Sequence, residues 1–102
     1  MTIPDSELQA ALQEYQEWGD KLRIPRDSRI AALLPHRSEA EVAGVMVLCK
    51  RVEDAAWEIA TAVRNSGISQ DEALARLRER FPFMSQANLS RTLSQAMYYT
   101  LK

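Results

Sequence analysis

A single cysteine, Cys49, and a single histidine, His36, carry all the thiol and imidazole chemistry of this chain. One cysteine excludes an internal disulfide framework, and one Cys with one His falls short of the four ligands that a structural zinc site needs. A reduced, intracellular setting is expected. Glycine is nearly as scarce, three residues beside four prolines, which excludes collagen-like, linker-like and low-complexity compositions. There is no glycine-rich phosphate-binding loop, no HExxH and no CxxC. No uninterrupted apolar run approaches the roughly 18 residues of a membrane span. The opening MTIPDSELQAALQEYQEWGDK places acids where a signal peptide would be basic and then apolar, so a cytoplasmic protein is expected.

What is present is an ordinary folding composition. Apolar residues make up 46% and charged residues 26% of 102 positions, which fits one globular helical domain spanning residues 1–102 and does not fit disorder. Strand-like alternation and hairpin turn pairs do not occur. The expected fold class is all-α: a small bundle of four to five helices with one long central helix, about 39–65, and a C-terminal helical hairpin, about 70–80 and 86–101.

Start and stop signals set those limits. Pro4 suits a helix entry, and Leu8, Ala11, Leu12, Tyr15, Trp18 and Leu22 recur at helical spacing, so a first helix is expected over Asp5–Leu22. Between Pro25 and Pro35, Asp27 or Ser28 could cap one short helix. Ser38 with Glu41 forms a capping box, and helical patterning then persists until Gly67 offers a left-handed stop. Ser69 with Glu72 is a second capping box, Pro82 ends the helix it opens, and Ser85 caps the last one.

Along the central helix Val42, Val45, Cys49, Val52, Ala56, Ile59 and Val63 follow spacings of three and four, which lays an apolar seam down one side. At about 1.5 Å per residue this helix is ~40 Å long, roughly a turn more than the ~33 Å width of a compact domain of this length. The seam is either bundle core, the reading it favours, or a candidate dimer interface, and a homodimer using the seam or the last helix is expected.

Chemistry-bearing residues are not gathered as an enzyme would gather them. Cys49 lies on the seam, where a thiol behaves as a small hydrophobe. His36 sits on a polar connector beside Arg37, thirteen positions from Cys49, and no third orienting group makes them a nucleophile and base. Glu7, Glu14, Glu17, Glu53, Asp54 and Glu58 read as solvated faces, and Asp5, Glu41, Asp71 and Glu72 as helix-entry charges. No enzymatic activity, catalytic residue, cofactor or metal is expected.

The stretch FPFMSQANLSRTLSQ, residues 81–95, raises a different possibility. A helical projection places Leu89, Leu93, Ala96, Met97 and Thr100 on a packing face and Asn88, Arg91, Gln95, Tyr98 and Tyr99 opposite. Arg with Asn and Gln is a residue set that contacts base edges, and residues 76–102 carry five cations against Glu79 alone, a net +4. Against DNA stand the bulky corner Phe81-Pro82-Phe83-Met84, where helix-turn-helix units often place Gly, and a whole-chain charge of −1. The expected function is accordingly that of a small helical regulator, adaptor or anti-activator that binds another protein, with helix-turn-helix-like DNA binding through the last helix as the alternative. Candidate partner-binding residues are Met46, Trp57 and Arg64 on the central helix, together with Phe83, Asn88, Arg91, Gln95, Tyr98 and Tyr99, because exposed aromatics and arginines dominate interface energetics.

Overall fold

In the computed structural model residues 3–17 and 23–100 are described, and among them the structure is helical with no strand. In chain order these are α1 (Asp5–Tyr15), α2 (Arg26–Leu33), α3 (Glu39–Ser66), α4 (Gln70–Arg80) and α5 (Gln86–Thr100). The all-α class, the long central helix and the C-terminal helical hairpin of α4 and α5 are as expected. The chain forms two compact units, Met1–Lys50 and Arg51–Lys102, whose boundary falls inside α3.

Local chemistry explains most helix ends. At α3 the Ser38 hydroxyl accepts from the Glu41 amide at 3.2 Å while the Glu41 carboxylate accepts from the Ser38 amide at 3.1 Å, a reciprocal capping box. Gly67 adopts φ +69° directly after α3, a conformation that glycine reaches without the steric penalty of a Cβ. The Ser69 hydroxyl caps α4 by accepting from Glu72 N at 3.1 Å, and Ser85 caps α5 by accepting from Asn88 N at 3.2 Å.

Two local expectations are corrected. Neither Asp27 nor Ser28 caps α2; Pro25 occupies the cap position without a side-chain bond, and Asp27 Oδ1 instead accepts from Ser28 N at 2.9 Å. Similarly, α1 stops at Tyr15 rather than continuing toward Leu22. The Glu14 carbonyl accepts a tightened bond from Glu17 N at 3.2 Å and a second from Arg29 Nη1 at 2.9 Å, so the last turn is closed by a side chain fifteen residues away. Trp18 and Leu22, expected on the same apolar face, lie outside the described residues.

In the first unit the buried residues include Leu12 and Tyr15 of α1, Ile30 of α2, and Val42, Val45 and Cys49 of α3. Arg29 is buried with them at 6% exposure and uses its guanidinium on backbone, donating from Nε to Ile24 O at 3.1 Å as well as to Glu14 O. A cation at the C-terminal carbonyls of α1 also meets the negative end of that helix's dipole. Arg26 stacks over the Tyr15 ring at 4.4 Å, a second tie between α1 and α2.

The second unit buries Val52, Ala56 and Ile59 of α3, Leu77 of α4, Phe81 and Met84 of the connecting corner, and Leu89 and Leu93 of α5. Phe81 and Met84 thus serve as core, which accounts for a corner too bulky for a tight glycine turn. Each fully buried Val, Leu or Phe side chain contributes about 1.5–3 kcal/mol. The seam residues Val42 through Ile59 are withdrawn from solvent within the single chain, and Val63 is half-buried.

A Cβ built on Gly67 meets no atom within 4 Å, so replacement there is felt through the backbone alone. Gly67→Ala should therefore lower stability by ~1–2 kcal/mol, the cost of a left-handed residue bearing a side chain, whereas Gly67→Asn should lose less. Urea unfolding followed by circular dichroism checks both values.

Candidate protein-binding surface

Trp57 lies in the middle of α3 with 50% of its surface exposed, although Ala55 and Ala56 beside it are buried. The helical stripe explains this: Val52, Ala55, Ala56, Ile59 and Ala60 face inward, and position 57 projects away from them. Thr61, one turn later, donates its hydroxyl to the Trp57 backbone carbonyl at 2.9 Å. On α5, Tyr98 is 46% and Tyr99 41% exposed, and their rings meet edge-to-face with centroids 5.8 Å apart.

Arg64 positions that tyrosine pair. Its Nε donates to Thr100 Oγ1 at 2.5 Å and its Nη2 to the Met97 carbonyl at 2.7 Å, so a cation of α3 holds the last turn of α5. The Thr100 hydroxyl in turn donates to the same Met97 carbonyl at 2.8 Å. Arg64 is therefore engaged within the chain, where it satisfies orphan C-terminal groups and complements the helix dipole.

The other candidates fall into different settings. Met46 is half-buried in the first unit, where it lines a groove with α2 residues. Phe83 is half-buried, with its ring edge-on to Phe81 at 6.5 Å. Asn88, expected on the outer face of α5, is 4% exposed, because the buried stripe runs 88, 89, 92, 93, 96 and is one position wider than projected. Arg91 donates from Nη2 to Asn88 Oδ1, and Gln95 is half-buried. The expected base-reading pair of Asn88 and Arg91 is thus bonded to itself.

The cations near the C-terminal hairpin are likewise engaged. Arg76 pairs with Glu72 at 3.3 Å, Arg80 with Glu58 at 3.5 Å, and Arg78 donates to the Gln86 amide oxygen. Exposed pairs of this kind contribute little stability, yet they offset the local positive charge.

Sequence reasoning missed a polar cluster in the first unit. Arg37 grips Glu7 through Nη2 at 2.6 Å and Nε at 3.2 Å and reaches Glu41 through Nη1 at 3.3 Å, while His36 Nε2 lies 2.9 Å from Glu7 Oε1. It ties α1 to the entry of α3, and the reach of Arg37 to Glu7, thirty residues away, leaves no periodic signal in the sequence. Among the described residues no group of three or more His, Cys, Asp or Glu is placed to hold a metal ion, and no helix is long and apolar enough to cross a membrane.

No known protein family, curated protein or solved structure matches this chain. The surface geometry is accordingly the basis for any functional reading.

The cluster sets a pH dependence. Hydrogen bonding to Arg37 holds the Glu7 carboxyl below its ordinary value of 4.5, and the Ser38 amide, with help from Arg37, does the same for Glu41. A depressed folded-state value means that the stability these groups contribute is complete above the ordinary carboxylate range and is lost as pH falls through the lowered values. The Glu7 side chain keeps 21% exposure, so solvent screens the effect. Unfolding midpoints in urea should drop below pH ~4.5, and Glu7→Gln should flatten that drop relative to wild type.

Proposed function

We propose that this chain is a small non-enzymatic helical regulator or adaptor that acts by binding another protein, with Trp57 as the centre of the contact. The observation that carries the reading is the half-exposed indole at mid-helix. A Trp left in water on a rigid helix offers a large apolar area at low entropy cost, and such residues anchor protein interfaces. Asp54 and Glu58 lie within one turn of it on the helix, Glu58 pairing with Arg80 at 3.5 Å, and charged residues beside an aromatic anchor suit the polar rim of a contact. A cytoplasmic location belongs to the same proposal.

Self-association belongs to it as well. The seam side chains on α3 are already covered within one chain, which leaves the Tyr98–Tyr99 pair at the end of α5 as the aromatic surface for a second copy. DNA reading by α5 fits less well. Asn88 is buried, Arg91 is bonded to it, and the nearby arginines are paired with carboxylates or an amide, so groups needed at bases and phosphates would first have to leave their partners.

Two measurements test the proposal. Affinity capture from native lysate with the wild-type chain should recover a defined protein partner, and Trp57→Ala should weaken its capture at least tenfold, about 1.4 kcal/mol, without loss of helical circular dichroism. Recovery dominated by nucleic acid that high salt releases would favour the DNA reading instead. In sedimentation equilibrium at micromolar concentration the wild type should run above its 11.6 kDa monomer mass, and Tyr98→Ala with Tyr99→Ala should return it to that mass. A single monomeric species of wild type across that range would remove the dimer from the proposal.

A further inference from the structure

The first unit contains an open groove of about 500 Å³ between α2 and the N-terminal part of α3. Ala31 and Leu34 of the α2 side and Val42, Ala43 and Met46 of α3 line it, and Asp27 and Glu39 stand at its edge. Its volume lies within the ~300–1,000 Å³ of small-ligand sites, but an open groove between two helices suits side chains presented by a third helix. The two alanines allow close backbone approach, and Met46 supplies an adaptable thioether surface.

Charge selects among helical occupants. The cation that lines the groove, Arg37, is already held by Glu7 and Glu41. Asp27 has a local hydrogen bond from the Ser28 amide, and no ion pair reaches Asp27 or Glu39 among the described residues. The groove therefore presents two carboxylates without an ion-pair partner beside the exposed apolar residues Ala31, Pro35 and Ala43. We propose that this groove docks an amphipathic helix of a partner protein, with its apolar residues on the exposed Ala31, Pro35 and Ala43 and the half-buried Met46, and its Lys or Arg side chains on Asp27 and Glu39. Apolar contact supplies the affinity, and the two carboxylates supply orientation and reject acidic helices.

First-turn acids also complement a helix dipole, and Asp71 with Glu72 fills that role on α4, which makes those two residues a matched control. The site is separate from Trp57, so it extends the protein-binding reading to a second surface and stands or falls apart from it.

The test uses the whole chain and two fluorescein-labelled model peptides, an amphipathic Leu/Lys helix and its Leu/Glu counterpart, in fluorescence anisotropy. The Leu/Lys peptide should bind at micromolar concentration and the Leu/Glu peptide should not. Asp27→Asn with Glu39→Gln should weaken binding about tenfold, whereas Asp71→Asn with Glu72→Gln should leave it within about twofold. Asp27→Lys with Glu39→Lys should reverse the preference to the Leu/Glu peptide. Ala43→Trp, at an exposed position, fills the groove and should abolish binding while Trp57→Ala leaves it intact. Equal binding of both peptides, equal losses in the two neutralised variants, or no binding would overturn the proposal. Conversion of a dimer to a monomer by Ala43→Trp would also overturn it, by assigning the groove to a second copy.

Discussion

Both units depend on one uninterrupted hydrogen-bond ladder, that of α3. Its 28 residues run from the Ser38–Glu41 box to the left-handed Gly67, and at about 1.5 Å per residue they span ~42 Å. A helix this long is marginal by propensity alone and is held by burial of one stripe. That stripe supplies Val42, Val45 and Cys49 to the first unit and Val52, Ala56 and Ile59 to the second. Because the phase of the helix is continuous, placing those residues inward also decides which ones face outward. Trp57 and Val47 are exposed as a geometric consequence of where their neighbours are buried.

Arginine does much of the remaining positioning. Arg29 closes the end of α1, Arg37 clamps Glu7 and Glu41 at the entry of α3, and Arg64 holds the last turn of α5. Each uses the forked guanidinium to reach two acceptors at once, which a lysine could not do. The same use withdraws these cations from any external anion. A chain with 13 basic residues consequently offers, among the described residues, fewer unoccupied cations than its composition implies.

The two proposed surfaces differ in kind. Trp57 is a half-exposed side chain at mid-helix that the proposed function places in a partner's pocket, whereas the α2–α3 groove is a concavity that the further proposal fills with a partner's side chains. A chain bearing one of each can engage two ligands with little overlap in chemistry. The proposed adaptor role rests on that pairing.

Sequence alone determined the features governed by neighbours along the chain. The capping serines at 38, 69 and 85, the stop at Gly67 and the inward stripe of α3 were all legible, because each depends on contacts within about one turn. Only tertiary structure decided where α1 ends, since Arg29 reaches Glu14 from fifteen residues away. Only it made Asn88 a buried residue bonded to Arg91 and brought Asp27 and Glu39 to the lining of one groove. Projection at 100° per residue gives the direction in which a side chain leaves its own helix. What that side chain then meets is set by which other elements pack there and how far they extend, and that is information the spacing of residues along one helix does not contain.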